Sequence, residues 1–273
     1  MGEETATFEA SQAKTPPPTW AQRIDAVVPN NSVIEGRTFL RRRSSASQPV
    51  DIKCADGNIY VVKALRNDSP QGRMMFNDHV IARLGALISA PVAEVALINI
   101  PQAMIDLNPD KGSQMGHICP CVAHGSKFFP NVSDRVDGFA NVGDGDNKLR
   151  FATIGVLHSW ACCSDRQFIY QTEQPYGVYS VDHGHFFPGG PNWTQATLAG
   201  AAPVAVAQDL VAACGLTAAE LAGVCARLDQ VSEDDLAAIL AIPPDEWGVP
   251  NDDRAALAEL LWTRRCDLIH SYH

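Results

Sequence analysis

The sequence predicts an α+β chain of two lobes, a small strand-rich lobe followed by a larger, mainly helical one. Three observations carry this. Up to about Ile100 the apolar residues fall in short strand-like blocks, broken by one stretch of helical period. From about Leu149 apolar residues recur three and four apart, and the composition shifts toward Ala and Leu. Within that helical part lies one pair of short apolar segments, Phe168-Ile169-Tyr170 and Val178-Tyr179-Ser180-Val181, around a turn at Glu173-Gln174-Pro175-Tyr176-Gly177.

The bulk properties bound what such a chain does. Its 273 residues suffice for two lobes with cores of their own. An apolar fraction of 46% and a charged fraction of 19% are ordinary for a globular protein. The net charge of -10 argues against a general nucleic-acid binder, which needs clustered Lys and Arg, and against a role on an anionic membrane surface. It leaves room for a nucleotide, which needs only a few local donors. No basic stretch leads into an apolar run at the N-terminus, and no apolar run is long enough to span a bilayer. The eight cysteines, Cys162-Cys163 among them, then read as reduced thiols of a cytoplasmic protein, packed as small hydrophobes.

Taken in order, residues 1–19 are polar and end in Pro16-Pro17-Pro18, a flexible leader. Residues 20–120 form the first lobe. Val33 to Phe39 is a strand, and Val50 to Cys54 and Ile59 to Ala64 are two more, joined at the hairpin turn Asp56-Gly57. Val80, Ile81, Leu84, Leu87 and Ile88 share a helix face that Pro91 closes, and Val92 to Ile100 is a further strand. Residues 121–273 form the second lobe. A helix runs up to Cys163, the hairpin follows, and Thr217-x-x-Glu220 and Ser232-x-x-Asp235 read as helix N-caps. An amphipathic helix from about Arg254 to His270 ends the chain.

The hairpin carries the chemistry. Asp165 precedes its first strand and Asp182 follows its second, so antiparallel pairing brings two distant carboxylates to one rim. A cation between them would relieve their repulsion, and magnesium suits carboxylates shared with phosphates. The competing reading makes both ordinary loop aspartates. Lys63 lies in the apolar strand Ile59-Tyr60-Val61-Val62-Lys63-Ala64, where burial demands an anion, unless the strand is an edge facing solvent. Asp78, on the helix that follows, is the available acid. Arg41-Arg42-Arg43-Ser44-Ser45-Ala46-Ser47 lies between two strands, where Ser44, Ser45 and Ser47 and the arginines could cradle phosphates or form a solvated basic turn. Strand lysine, acidic helix, helical lobe, Asp, hairpin and Asp-x-Gly follow each other in the order of a protein-kinase fold.

These motifs together resemble the small HipA-like kinases. The resemblance rests on Gly57-Asn58-Ile59-Tyr60-Val61-Val62-Lys63, Phe76-Asn77-Asp78, Ala90-Pro91-Val92, Trp160-x-x-x-x-Asp165-Arg166-Gln167 and Ser180-Val181-Asp182-His183-Gly184-His185-Phe186-Phe187 with Trp193, and it spans about 33–195. It implies a bilobal kinase-like fold using ATP and Mg2+ to phosphorylate a hydroxyl, most simply Ser or Thr of a protein. Under it Lys63 holds the α/β-phosphates and Asp78 stands for the usual helix glutamate. Asp165 acts as base or as orienter of the substrate hydroxyl, Asp182 binds magnesium, and Gly116-His117-Ile118-Cys119-Pro120-Cys121 is the adenine hinge. An antitoxin-like or regulatory partner, or a lipid or small-molecule acceptor, is compatible with it. Two departures stand out. Gln167 and Tyr170 replace the His and Asn of Asp-Arg-His-x-x-Asn, and a phenol is a poor magnesium ligand unless Gln171 substitutes for it. A pseudokinase acting as an interaction module is therefore the alternative. A second class, a metal hydrolase, would use His117, Cys119, Cys121 and His124 as a zinc site, against an unusual C-x-C spacing. Asp182, His185 and His158 make a weaker cluster.

Overall fold

The structure is a computed structural model and describes residues 16–28, 32–69, 71–136 and 138–272. The expected flexible leader therefore lies outside the described residues except for 16–19.

The strand lobe is a closed barrel. β1 (Val33–Arg42), β2 (Val50–Cys54), β3 (Ile59–Lys63), β4 (Val95–Ile100) and β5 (Cys121–Lys127) are arranged β1-β2-β3-β5-β4. Closure comes from parallel pairing of Val33–Glu35 with Leu97–Asn99. The β2–β3 hairpin turns at Asp56-Gly57 as its sequence requires. Gly57 takes φ +82°, and the Asp56 carboxylate accepts the Asn58 backbone N–H. Val50, Ile52, Val62, Ile98 and Ala123 fill the barrel.

The helix α2 (Gly72–Leu87) starts earlier than its apolar face suggests, so Phe76, Asn77 and Asp78 lie inside it rather than at its opening. Most of it is buried. Its apolar side chains belong to the core of the helical lobe, with Trp160, Phe151, Trp193 and Leu261, rather than to the barrel. The helix is a wedge between lobes, which explains why it is apolar on more than one face.

After the short α3 (Gln102–Asp106) the chain enters β5. This strand corrects the expected lobe boundary near residue 120, because it pairs with β3 and β4 in the barrel. The crossing to the second lobe comes after Lys127, through β6 (Val132–Ser133). α1 (Trp20–Ala26), grouped by sequence order with the strand lobe, packs instead on the C-terminal helices, with the Trp20 indole N–H donating to Glu259.

In the second lobe α4 (Asn147–Trp160) is almost wholly buried. It leads to the hairpin of β7 (Gln167–Gln171) and β8 (Val178–Val181), to which β6 adds a third strand. α5 (Gln195–Ala199), α6 (Gln208–Cys214), α7 (Ala218–Leu228), α8 (Glu233–Ala241) and α9 (Asn251–Tyr272) complete it. Thr217 with Glu220 and Ser232 with Asp235 form the capping boxes their spacing predicts.

Candidate functional site

A cleft of about 850 Å3 lies between the barrel and the β7–β8 hairpin. At its floor Lys63, the last residue of β3, is 7% exposed and sits between two carboxylates. Its Nζ lies 2.7 Å from Asp78 Oδ2 on α2 and 2.5 Å from Asp182 Oδ1 just after β8. Burial alone would lower the Lys63 pKa, but the two carboxylates outweigh it and hold it above the ordinary value. Asp78, 4% exposed, is pushed up by burial and pulled further down by Lys63 and His124, so its pKa is lowered on balance. An ammonium has three donors, and these two bonds leave one for a ligand.

Local backbone sets up the triad. Asp182 takes φ +57°, which turns its side chain out of the strand's alternation. Asp tolerates this left-handed region better than most residues. Gly184 follows because α2 leaves no room for a side chain: a Cβ there would stand 2.3 Å from Met74 Cγ. Asn77 fastens the same segment to α2. Its amide donates to the carbonyls of Gly184 (2.9 Å) and Phe186 (3.2 Å), and its carbonyl accepts the Trp193 indole N–H at 2.9 Å. His183, buried behind Asp182, is held down to about 4 by burial, and its Nε2 shares the Ser180 hydroxyl with His158.

Asp165 is exposed on the rim, where the Gln167 amide donates to its carboxylate at 3.0 Å. Gln167 pairs with Val181, the neighbour of Asp182, so the hairpin's open end gathers Asp165, Gln167 and Asp182. Arg166 ties this end to α6 through Asp209. Ser44, Ser45 and Ser47 line the mouth of the cleft opposite, beside Arg41, Arg42 and Arg43.

Two expectations are corrected by geometry, and one departure is explained by it. Gln171 is not beside Asp182. It lies at the turn end of the hairpin, where its N–H reaches Gly177, roughly 13 Å along the strand from the open end. Tyr170 has its ring wholly buried and its hydroxyl on the Gly138 carbonyl at 2.6 Å, so it faces away from the cleft. Cys119 and Cys121 are outside the cleft too. Cys121 begins β5, and the cleft lining on that strand starts only at His124, roughly 10 Å along it, and continues to Lys127, Phe128 and Phe129. The segment that joins the lobes, and therefore borders the cleft, comes after β5, not before it.

The zinc alternative fails similarly. The Cys119 thiol faces Asn67 Oδ1, His124 Nδ1 faces His79 Nδ1 at 3.2 Å, and His117 Nε2 lies by the Gln48 carbonyl. Among the described residues no three His, Cys, Asp or Glu side chains are grouped to hold a metal ion. A magnesium ion that brings its own phosphate ligands asks less. One or two carboxylates suffice for it, and Asp182, a third exposed toward the cleft, fits that requirement.

Sequence reading overlooked Gln167 as a rim amide, Phe128 and Phe129 as cleft walls, and Asp51 on the cleft roof. Asp51 carried the same signal as Lys63, a charge inside an apolar strand.

No protein-family model and no curated protein matches the sequence. Solved structures do. The chain is similar to a Helicobacter pylori proinflammatory kinase, CtkA, over 89% of its own length and 97% of that chain, with a TM-score of 0.54 at 11% identity. Two structures of the Golgi casein kinase, one with Mn and ADP bound, align over 89% of this chain and 73% of theirs, at TM-scores of 0.47 and 0.46 and 9% and 8% identity. The first likeness shows a kinase-like fold. The other two are too loose to bear on this chain.

Proposed function

We propose that this chain is a HipA-like, ATP-dependent phosphotransferase that moves the γ-phosphoryl group to a hydroxyl, most simply Ser or Thr of a protein, in the cytoplasm. The observation that carries the reading is Lys63 bridging Asp78 and Asp182 at the floor of a cleft between lobes. Fold likeness alone would not specify chemistry. A buried lysine fixed between two carboxylates, with one donor left for an anion, is what positioning a polyphosphate requires.

In this reading the nucleotide enters between the barrel roof and the hairpin, its base against Phe128, Phe129 and Phe168. Lys63 offers its remaining N–H to the phosphates. Asp182, with the Gln167 amide nearby, would hold a magnesium ion, which neutralises phosphate charge when bound. Asp165 orients the acceptor hydroxyl and takes its proton. The acceptor oxygen forms the new bond to phosphorus as the bond to the β-phosphate bridging oxygen breaks, and ADP leaves. Catalysis of this kind is positioning and charge stabilisation.

Calorimetric titration with ATP, with and without magnesium, tests the reading on wild type and Asp182→Ala. Magnesium-dependent binding that the variant loses is the expected result. Unchanged magnesium-dependent affinity in Asp182→Ala would sink the assignment. A second reading, a nucleotide-binding pseudokinase, is favoured by one observation, the burial of Tyr170 where the resembled family has a metal-binding Asn. Binding without phosphoryl transfer to any acceptor would select it.

A further inference from the structure

The roof of the cleft is one face of the barrel, and register fixes which side chains share it. Arg41 lies opposite Asp51, Asp51 opposite Val61, and Val61 opposite Ser126. Opposed residues on neighbouring strands point to the same side of a sheet. Val61 and Ser126 line the cleft, so Asp51 and Arg41 lie on that side too.

Asp51 is unusual there. It stands between Val50 and Ile52 and is 2% exposed. A carboxylate buried this far is costly unless it is paired. It has two partners. Arg41 Nε is 2.6 Å from Oδ2 and Arg43 Nε is 2.6 Å from Oδ1. Arg43 Nη2 also reaches Oδ2 at 3.2 Å, and its guanidinium lies over the Phe128 ring. Two residues apart on an extended chain, Arg41 and Arg43 project to the same side, while Arg42 is engaged by the carbonyls of Lys111 and Gly112. Among the described residues neither guanidinium has another ion-pair partner. The trio keeps one net positive charge, and both arginines line the cleft mouth.

We propose that Asp51 is a positioning residue that holds Arg41 and Arg43 as a clamp for the di- or triphosphate of the nucleotide. The segment between β1 and β2 has no glycine-rich pattern, and backbone N–H groups alone do not supply the charge. Arg41, tethered through Nε, and Arg43, tethered side-on through Nε and Nη2, keep their outward N–H groups in a fixed fork, the geometry that matches phosphate oxygens. Tethering in advance also lowers the ordering cost on binding. This inference rests on the nucleotide reading above.

The test is calorimetry with adenosine, ADP and ATP, each with magnesium, on wild type, Asp51→Asn and the double variant Arg41→Gln/Arg43→Gln. The double variant should weaken ADP and ATP by about ten-fold or more and leave adenosine nearly unchanged. Asp51→Asn keeps both charges but not their tether. It should weaken ATP several-fold, again sparing adenosine, a selectivity that a merely structural role would not produce. ATP affinity in Asp51→Asn that is unchanged or raised overturns the proposal, as does equal loss of adenosine. Should Asp51→Asn fail to fold, Arg41→Gln decides: it leaves the Asp51 carboxylate paired with Arg43, its side chain is 61% exposed, and it should weaken ATP several-fold while sparing adenosine. A wild type that binds ATP, with either variant unaffected, overturns the clamp alone. A wild type that binds none of the three overturns the nucleotide reading as well.

Discussion

Single residues decide whether a motif is a site or a piece of core, and burial is the criterion. Lys63 and Tyr170 both occupy motif positions in apolar strands. Lys63 is matched by two carboxylates inside the protein, so its burial is compensated. Tyr170 is matched by a backbone carbonyl, and its ring fills the space below β7. Restoring the amide of the resembled family should therefore not restore a ligand. Tyr170→Asn should leave magnesium-dependent ATP affinity unimproved and lower stability by about 3 kcal/mol, in the range of large-to-small core changes. Calorimetry and urea unfolding on the same preparation check both halves. A gain in magnesium dependence would mean that the side chain at 170 reaches the cleft after all.

At the scale of elements, α2 does the integrating. It carries Asp78 to Lys63 and, one residue earlier, uses Asn77 to grip the segment after Asp182. Adjacent residues on a helix point about a quarter-turn apart, so one turn can face both the barrel and the following segment. Asn77→Ala would leave buried carbonyls and the Trp193 indole without their partner. It should cost about 2–3 kcal/mol in equilibrium unfolding. It should also weaken magnesium-ATP binding, because Asp182 then loses its fixed relation to Asp78. An Asn77→Ala variant that is destabilised but binds magnesium-ATP as well as wild type would show that α2 serves stability only. The hairpin is the complementary element. Its strand pairing sends Gln167 and Asp182 to one end and Gln171 to the other, and no local substitution changes that.

For the whole molecule, pH is the informative variable. His79, His124 and His158 are buried near the lobe junction. Burial lowers all three, His124 to about 4 despite the pull of Asp78 the other way, with His124 and Arg83 further lowering His79 and His183 further lowering His158. Their unfolded values lie near 6.5, so between about 6.5 and 4 the unfolded chain binds more protons than the folded one. Stability therefore falls as pH drops through that window, by up to about 1.4 kcal/mol per pH unit for each histidine. Asp78, also lowered, adds loss in the same direction below its unfolded value. Urea midpoints measured from pH 7 to 4 should decline steeply. A flat profile would mean that these rings are charged or solvated in the native state. Among the described residues no helix is long and apolar enough to cross a membrane.

The α+β order, the Asp56-Gly57 hairpin, the capping boxes at Thr217 and Ser232 and the β7–β8 hairpin were legible because each depends on residues close in sequence. Turn chemistry, apolar period and cap spacing are local, and local physics can be read along a chain. That the fold is kinase-like followed from the order of such parts. What the sequence could not reveal depends on which faces meet. The lobe boundary moved past β5 because a strand's membership is set by its partners β3 and β4. Gln171 and Cys121 were misjudged because nearness in sequence along an extended strand is distance in space, at about 3.3 Å per residue. Asp51 gained its meaning only when cross-strand register put it under Arg41 and Arg43. Tertiary structure decided these points because burial and electrostatic pairing act between residues that the chain itself keeps apart.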